Sequence, residues 1–143
     1  MAFSGIHYAA GKSRRMIIVR LSPEVDLVGE LTRICEEFQI KAGCIASAIG
    51  SLKYATFQSV APDVTSKDGP LGKFIEVSGP LELLTASGTI TTEGTKVYLH
   101  IHAIFMDKDM RVVGGHLEPG GNPILNTAEL SLIETESVEV RRE

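Results

Sequence analysis

The chain has 143 residues, 43% of them hydrophobic, with 18 acidic against 14 basic side chains and a formal net charge of −4. That length buries about two thirds of the unfolded surface without help from disulfides or metal, so a bound ion would serve chemistry before it serves folding. The charge has the wrong sign for a broad face that grips phosphate backbone, and no run approaches the roughly 18 apolar residues of a membrane span.

Residues 1–143 read as one domain, without internal repeat or linker. Met1 to Ser13 is a loosely held arm that carries His7. Arg15 to Leu21 is the first strand. Ser22-Pro23 then suits a helix start, and Val25, Val28, Leu31, Ile34, Cys35 and Phe38 recur at the spacing of one buried helical face, which predicts a helix from Glu24 to about Phe38. Glu30, Arg33, Glu36 and Glu37 make its solvated side.

Ala42 to Leu52 is a small-residue strand opening onto a glycine turn, and Lys53 to Val60 reads as the next strand. Ala61 to Leu71 collects Pro62, Asp63, Asp68, Gly69 and Pro70 and reads as a loop. Strands follow at 72–78, 81–91, 95–106, 111–117 and 128–134. The expected class is α+β, one main helix packed on a large, mainly antiparallel sheet.

Cys35 falls in the helix and Cys44 in a strand. With no Cys-x-x-Cys spacing and no signal-peptide pattern at the amino terminus, both read as small core residues of a protein of the reducing cytoplasm.

Three of the four histidines cluster at 100, 102 and 116. Successive side chains of a strand point to opposite faces, so His100 and His102 share one face, with Tyr98, Ile104 and Met106. Val97, Leu99, Ile101, Ala103 and Phe105 make the other, wholly apolar face. The polar run Met106 to Met110 predicts a hairpin that returns through Arg111 to Leu117 and brings His116 beside the first two. Gly114 and Gly115 clear space for a ligand or for another backbone. Three imidazoles meeting at one point suit a divalent cation, zinc above all, at N–metal distances of roughly 2.0–2.1 Å. A lone strand histidine is more often a surface or hydrogen-bonded residue, so the expectation rests on the trio. The histidine face is too apolar for solvent, which predicts cover by another subunit or a pocket wall.

The spacing Gly94-x5-His100-x-His102-x4-Asp107-x6-Gly114 resembles the first metal motif of the cupin barrels, with Asp107 where cupins carry glutamate. Pro119-x-Gly121 matches the second motif, but Ile124 stands where its histidine ligand belongs. A cupin-like metal protein is therefore an alternative.

The element order, together with Ile49-Gly50-Ser51, the run Gly72 to Gly79 and Val112-Val113-Gly114-Gly115-His116-Leu117, resembles the PPC (plant and prokaryote conserved) domain over residues 14 to 135. The likeness is to its stand-alone prokaryotic form, often described as a predicted DNA-binding protein, because the Arg-Gly-Arg-Pro hook that precedes the plant domain is absent from this sequence. The resemblance implies a homotrimer built on an antiparallel sheet, with metal coordination at His100, His102 and His116. Thr127-Ala128-Glu129 resembles a recurring piece of the prokaryotic pattern, which implies that Glu129 faces the same pocket.

These readings predict a cytoplasmic homotrimer with a divalent ion whose remaining position is open to water or a small anionic ligand, for binding, sensing, or hydrolytic or lyase chemistry. Glu118, two residues beyond His116, is the first candidate proton acceptor, followed by Glu129 and Asp107, and each is equally a candidate fourth ligand. A DNA-binding or transcription-associated oligomer is the second reading. There, basic clusters at Lys12, Arg14, Arg15, Arg20 and Arg141-Arg142, multiplied around a trimer axis, would supply what one acidic subunit lacks. A protein-interaction scaffold is the third.

Overall fold

The structure, a computed structural model, describes residues 8–60 and 71–136. Its elements are β1 (Lys12–Leu21), α1 (Leu27–Glu37), β2 (Gly43–Val60), β3 (Leu71–Glu93), β4 (Lys96–Asp107), β5 (Val112–Leu117) and β6 (Ile124–Glu136). The strands form one six-stranded sheet in the order β1-β6-β2-β3-β4-β5, and every pairing between them is antiparallel. Phe57 and Gln58 of β2 also pair with Leu117 and His116 of β5, so β2, β3, β4 and β5 close into a ring.

The period-2 pattern of β4 sets its two faces. Val97, Ile101, Ala103 and Phe105 are buried, whereas His100, His102 and Ile104 are exposed. Helix α1 packs against β4 and contributes Leu27, Val28, Leu31 and Cys35 to the core. The helix therefore backs the strand that carries two of the histidines. Truncating a fully buried residue such as Leu31 typically costs about 2–5 kcal/mol.

The helix starts later than its apolar spacing predicts. Its N-cap is Asp26, whose carboxylate accepts from the Gly29 amide at 2.8 Å, and not Ser22. Glu24 takes a positive φ of 75°. The residues before Leu27 are tied instead to the chain ahead of β6: Glu24 N–H donates to the Ile124 carbonyl, Leu27 N–H to that of Asn122, and Ile124 N–H to that of Val25. Those bonds compete with a first helical turn at Glu24 and win. At the far end Phe38 is the C-cap and is exposed rather than buried.

Two predicted breaks are absent. β2 runs unbroken through Gly50 and β3 through Gly79-Pro80, because in both places the glycine admits a neighbouring strand. A Cβ on Gly50 would stand 2.4 Å from the Thr127 carbonyl, and one on Gly79 would stand 1.9 Å from that of Lys53. The register of β2 on β3 shifts between Leu52 and Tyr54, a bulge opposite the Gly79-Pro80 step. β1 begins at Lys12, paired with Glu136, ahead of the predicted start at Arg15. His7, Arg141, Arg142 and residues 61–70 of the predicted loop from Ala61 to Leu71 lie outside the described residues, and Leu71 itself opens β3.

Candidate metal centre

The β4–β5 hairpin forms as the sequence predicts, and its register decides the geometry. His102 lies directly opposite His116, and Ala103, Ile104 and Phe105 face Gly115, Gly114 and Val113. Directly opposed residues of an antiparallel pair share a face, so the outer surface carries all three imidazoles. Their ring centroids are 5.0, 4.8 and 5.5 Å apart.

One nitrogen from each ring lies within 4.8 Å of the other two, and the Nε2 atoms of His100 and His102 are 3.0 Å apart. Two ligands of a tetrahedral ion at roughly 2.0–2.1 Å stand about 3.3 Å apart, so this pair already has nearly the required spacing. The donor set, three imidazoles with no thiolate, suits zinc and other borderline divalent ions. Three protein ligands leave at least one coordination position for water or a small ligand.

Glu118, the first residue after β5, reaches this cluster. Its Oε1 is 3.5 Å from His116 Nε2, and both side chains are about three-quarters buried, with relative exposures of 24% and 25%. Glu129 does not reach it. Its residue is paired with Arg20 of β1 and Ile49 of β2, its carboxylate lies 3.9 Å from the Arg20 guanidinium, and β6 has no pairing with β4 or β5.

Asp107 is a turn residue. Its Oδ1 accepts from the amides of Asp109 and Arg111, both at 2.8 Å, which fixes the β4–β5 turn. The cupin-like spacing is thus occupied by a turn-forming carboxylate, and Ile124 at the second motif is fully buried. Gly114 and Gly115 admit protein atoms: a Cβ on Gly114 would stand 2.3 Å from the Ala103 carbonyl, and one on Gly115 would stand 2.9 Å from the Phe57 ring. A separate cleft of about 420 Å³ is lined by residues that include Gly50, Glu82, Met106 and Thr127, and no histidine lines it.

Two residues near the cluster escape the sequence reading. Asp26 accepts from the amides of Gly120 and Asn122 as well as from Gly29, and Asn122 is a fully buried polar residue. The available signals were an Asp three residues before a glycine at a helix start and an Asn in a Gly-Gly-Asn-Pro turn. Each reads locally as loop chemistry, and nothing local joins them.

A ringed antiparallel sheet backed by one helix, with three imidazoles gathered on its outer face, defines a compact class of α+β protein. The chain belongs to the Plants and Prokaryotes Conserved (PCC, also written PPC) domain family, whose profile matches residues 8–136. Among solved structures it is similar to a metal-containing protein from Archaeoglobus fulgidus, at 26% identity and a TM-score of 0.78 over 92% of this chain and 86% of that one. It shares its fold with a plant- and prokaryote-conserved protein from Pyrococcus horikoshii, at 20% identity and a TM-score of 0.83 over 96% and 90% of the two chains. A candidate DNA-binding protein from Bacteroides thetaiotaomicron shares it too, at 22% identity and a TM-score of 0.76 over 93% and 89%. The chain is also 36% identical over 123 residues to a Synechococcus protein named bifunctional protein GlmU, covering 86% of this chain and 18% of that protein. It therefore spans less than a fifth of that curated relative. No helix among the described residues is long and apolar enough to cross a membrane.

Proposed function

We propose that this PPC-domain protein binds a divalent metal ion, zinc by preference, through His100, His102 and His116, and presents the ion's remaining position to water or a small anionic ligand. The observation that carries this reading is the convergence of three imidazole nitrogens within 4.8 Å on one sheet face. The metal-containing relative from Archaeoglobus fulgidus supports it. An ion so held lowers the pKa of bound water or polarises a carbonyl. Of the carboxylates named from the sequence, Glu118 is the one beside the cluster, so hydrolytic or lyase chemistry would draw on it as proton acceptor.

Metal analysis of protein purified without a nickel column tests the proposal. The native chain should carry about one ion per chain, and the His100→Ala, His116→Ala double variant should carry none. Equal content in both proteins would overturn it.

The working form is a homotrimer, held through the outer sheet face. Met16 and Ile18 of β1, Ile49 of β2, Ile104 of β4 and Val112 of β5 are exposed apolar side chains, an arrangement that favours cover by further copies of the chain. Light scattering should give three times the chain mass, and an Ile18→Lys, Ile49→Lys variant should give one. The free thiols Cys35 and Cys44 support a cytoplasmic setting.

A DNA-binding role is the second reading, favoured by the naming of the Bacteroides neighbour. The chain's own chemistry weighs against it. Arg14 and Arg15 share the Glu134 carboxylate and Arg20 has Glu129 at 3.9 Å, which offsets part of the positive charge that phosphates would meet. DNA binding requires an affinity that falls steeply with salt.

A further inference from the structure

We propose that Asn122 is a positioning residue for the histidine cluster, holding Glu118 against His116 by extending the β2–β5 ladder one step beyond the end of the strand. This rests on the metal-binding reading above.

β5 ends at Leu117, and Glu118 is followed by Pro119-Gly120-Gly121, a sequence with no strand propensity. Left to itself, this loop would let the Glu118 carboxylate wander. Its backbone is nevertheless bonded at both ends. The Glu118 amide donates to the Thr56 carbonyl at 3.1 Å, and the Glu118 carbonyl accepts from Asn122 Nδ2 at 2.5 Å. The other end of the same carboxamide, Asn122 Oδ1, accepts from the Thr56 amide at 3.1 Å. One side chain thus supplies the donor and the acceptor that a further strand residue would have supplied.

The carboxamide is itself fixed from behind. The Asn122 amide donates to Asp26 Oδ1 at 2.8 Å, and that of Gly120 to Asp26 Oδ2 at 3.0 Å, so the loop is anchored to the start of α1. Asn122 is fully buried, and a side chain in that place must donate and accept at once. A carboxylate accepts only and a hydroxyl is too short to span both partners, so Asn meets a requirement that Asp and Ser do not. The consequence falls on Glu118, whose carboxylate lies 3.5 Å from His116 Nε2. Groups that orient metal ligands typically govern affinity by 10–100-fold.

The test uses cobalt(II) as probe, because its visible spectrum reports the ligand set directly. Affinity and spectrum are compared for the native chain, Glu118→Gln, Asn122→Asp and the Glu118→Gln, Asn122→Asp double variant. Asn122→Ser repeats the series should the buried aspartate prevent folding. Cys35→Ala, a core change far from the loop in sequence, controls for lost stability and should leave the spectrum as in the native chain.

Asn122→Asp should weaken cobalt binding about tenfold and move the spectrum toward that of Glu118→Gln, and it should have no further effect once Glu118 is already Gln. Native binding and spectrum in both Asn122 variants would overturn the inference, as would effects of the two sites that simply multiply. A native chain that binds no cobalt would overturn the metal reading itself, and this inference with it.

Discussion

Ala103 and Gly115 face one another across the β4–β5 pair, between the opposed histidines 102 and 116 and the Ile104–Gly114 step. A slip of one residue in this register would turn the histidine of one strand away from those of the other. The cluster is therefore only as well defined as the hairpin that presents it.

Gly114→Val attacks that register directly, since the first added carbon would stand 2.3 Å from the Ala103 carbonyl. The variant should lose about 2 kcal/mol or more of stability and its bound metal together, measured by urea unfolding and metal content. A Gly114→Val protein with native metal content would show that the hairpin register does not control the site.

Asp26 serves the helix and the Gly120–Asn122 loop at once. Asp26→Ala should cost about 1 kcal/mol for the lost cap alone, and more because the Gly120 and Asn122 amides lose their acceptor. Thermal unfolding should therefore show a larger loss for Asp26→Ala than for Thr32→Ala, a helix residue whose hydroxyl merely bonds back to the Val28 carbonyl.

Glu134 is the buried carboxylate that ties β1 to the sheet. Its side chain is 4% exposed and receives Arg15 Nε at 2.6 Å and Arg14 at 3.5 Å, while Arg15 also donates to the Phe38 carbonyl at 2.5 Å. Glu134→Ala removes the carboxylate but leaves Arg15 its Phe38 carbonyl and partial solvation, so it should cost about 1 kcal/mol. Because the Arg15 and Arg14 side chains are 37% and 59% exposed, the loss should shrink from low to moderate salt, which chemical denaturation in urea at two salt concentrations would read.

Burial pushes the Cys35 thiol up to about 12. Native protein should therefore leave Cys35 unmodified by a thiol reagent at pH 8, with modification appearing only on unfolding. The linkage has a definite sign. The unfolded thiol ionises near about 8.5, so the unfolded state releases its proton first as pH rises. The stability tied to the neutral thiol is complete below about 8.5 and is lost toward about 12, by up to about 1.4 kcal/mol per pH unit. Cys35→Ala should flatten this alkaline limb, and an unchanged limb would place its origin elsewhere.

What could be read from the sequence was local. The alternation of apolar and polar residues from Val97 to Met106 gave the two faces of β4, and the turn chemistry after Met106 gave the hairpin that delivers His116. Both follow from a period of two and from short-range turn propensities. The misread features are those decided by distant partners. Ser22-Pro23 carries a helix-start signal, yet backbone bonds to Asn122 and Ile124 shift the start to Leu27. Gly50 and Gly79 carry turn signals, yet each makes room for a strand remote in sequence. The pairing of β2 with β5 depends on how the ring closes and the place of Glu129 beside Arg20 on the pairing of β6 with β1, neither of which any window of residues records. Asn122 stayed hidden because its meaning lies in Thr56, Glu118 and Asp26 together.

His116 is hydrogen-bonded strand on both flanks, to His102 on one side and Gln58 on the other. Its main chain is held from two sides, so an ion at the proposed site would meet a framework whose readiest freedom is side-chain torsion. Were the proposed ion to bind, its effect on the subunit would have to pass through side chains, of which Glu118, tied through Asn122 and Asp26 to the start of α1, is the nearest.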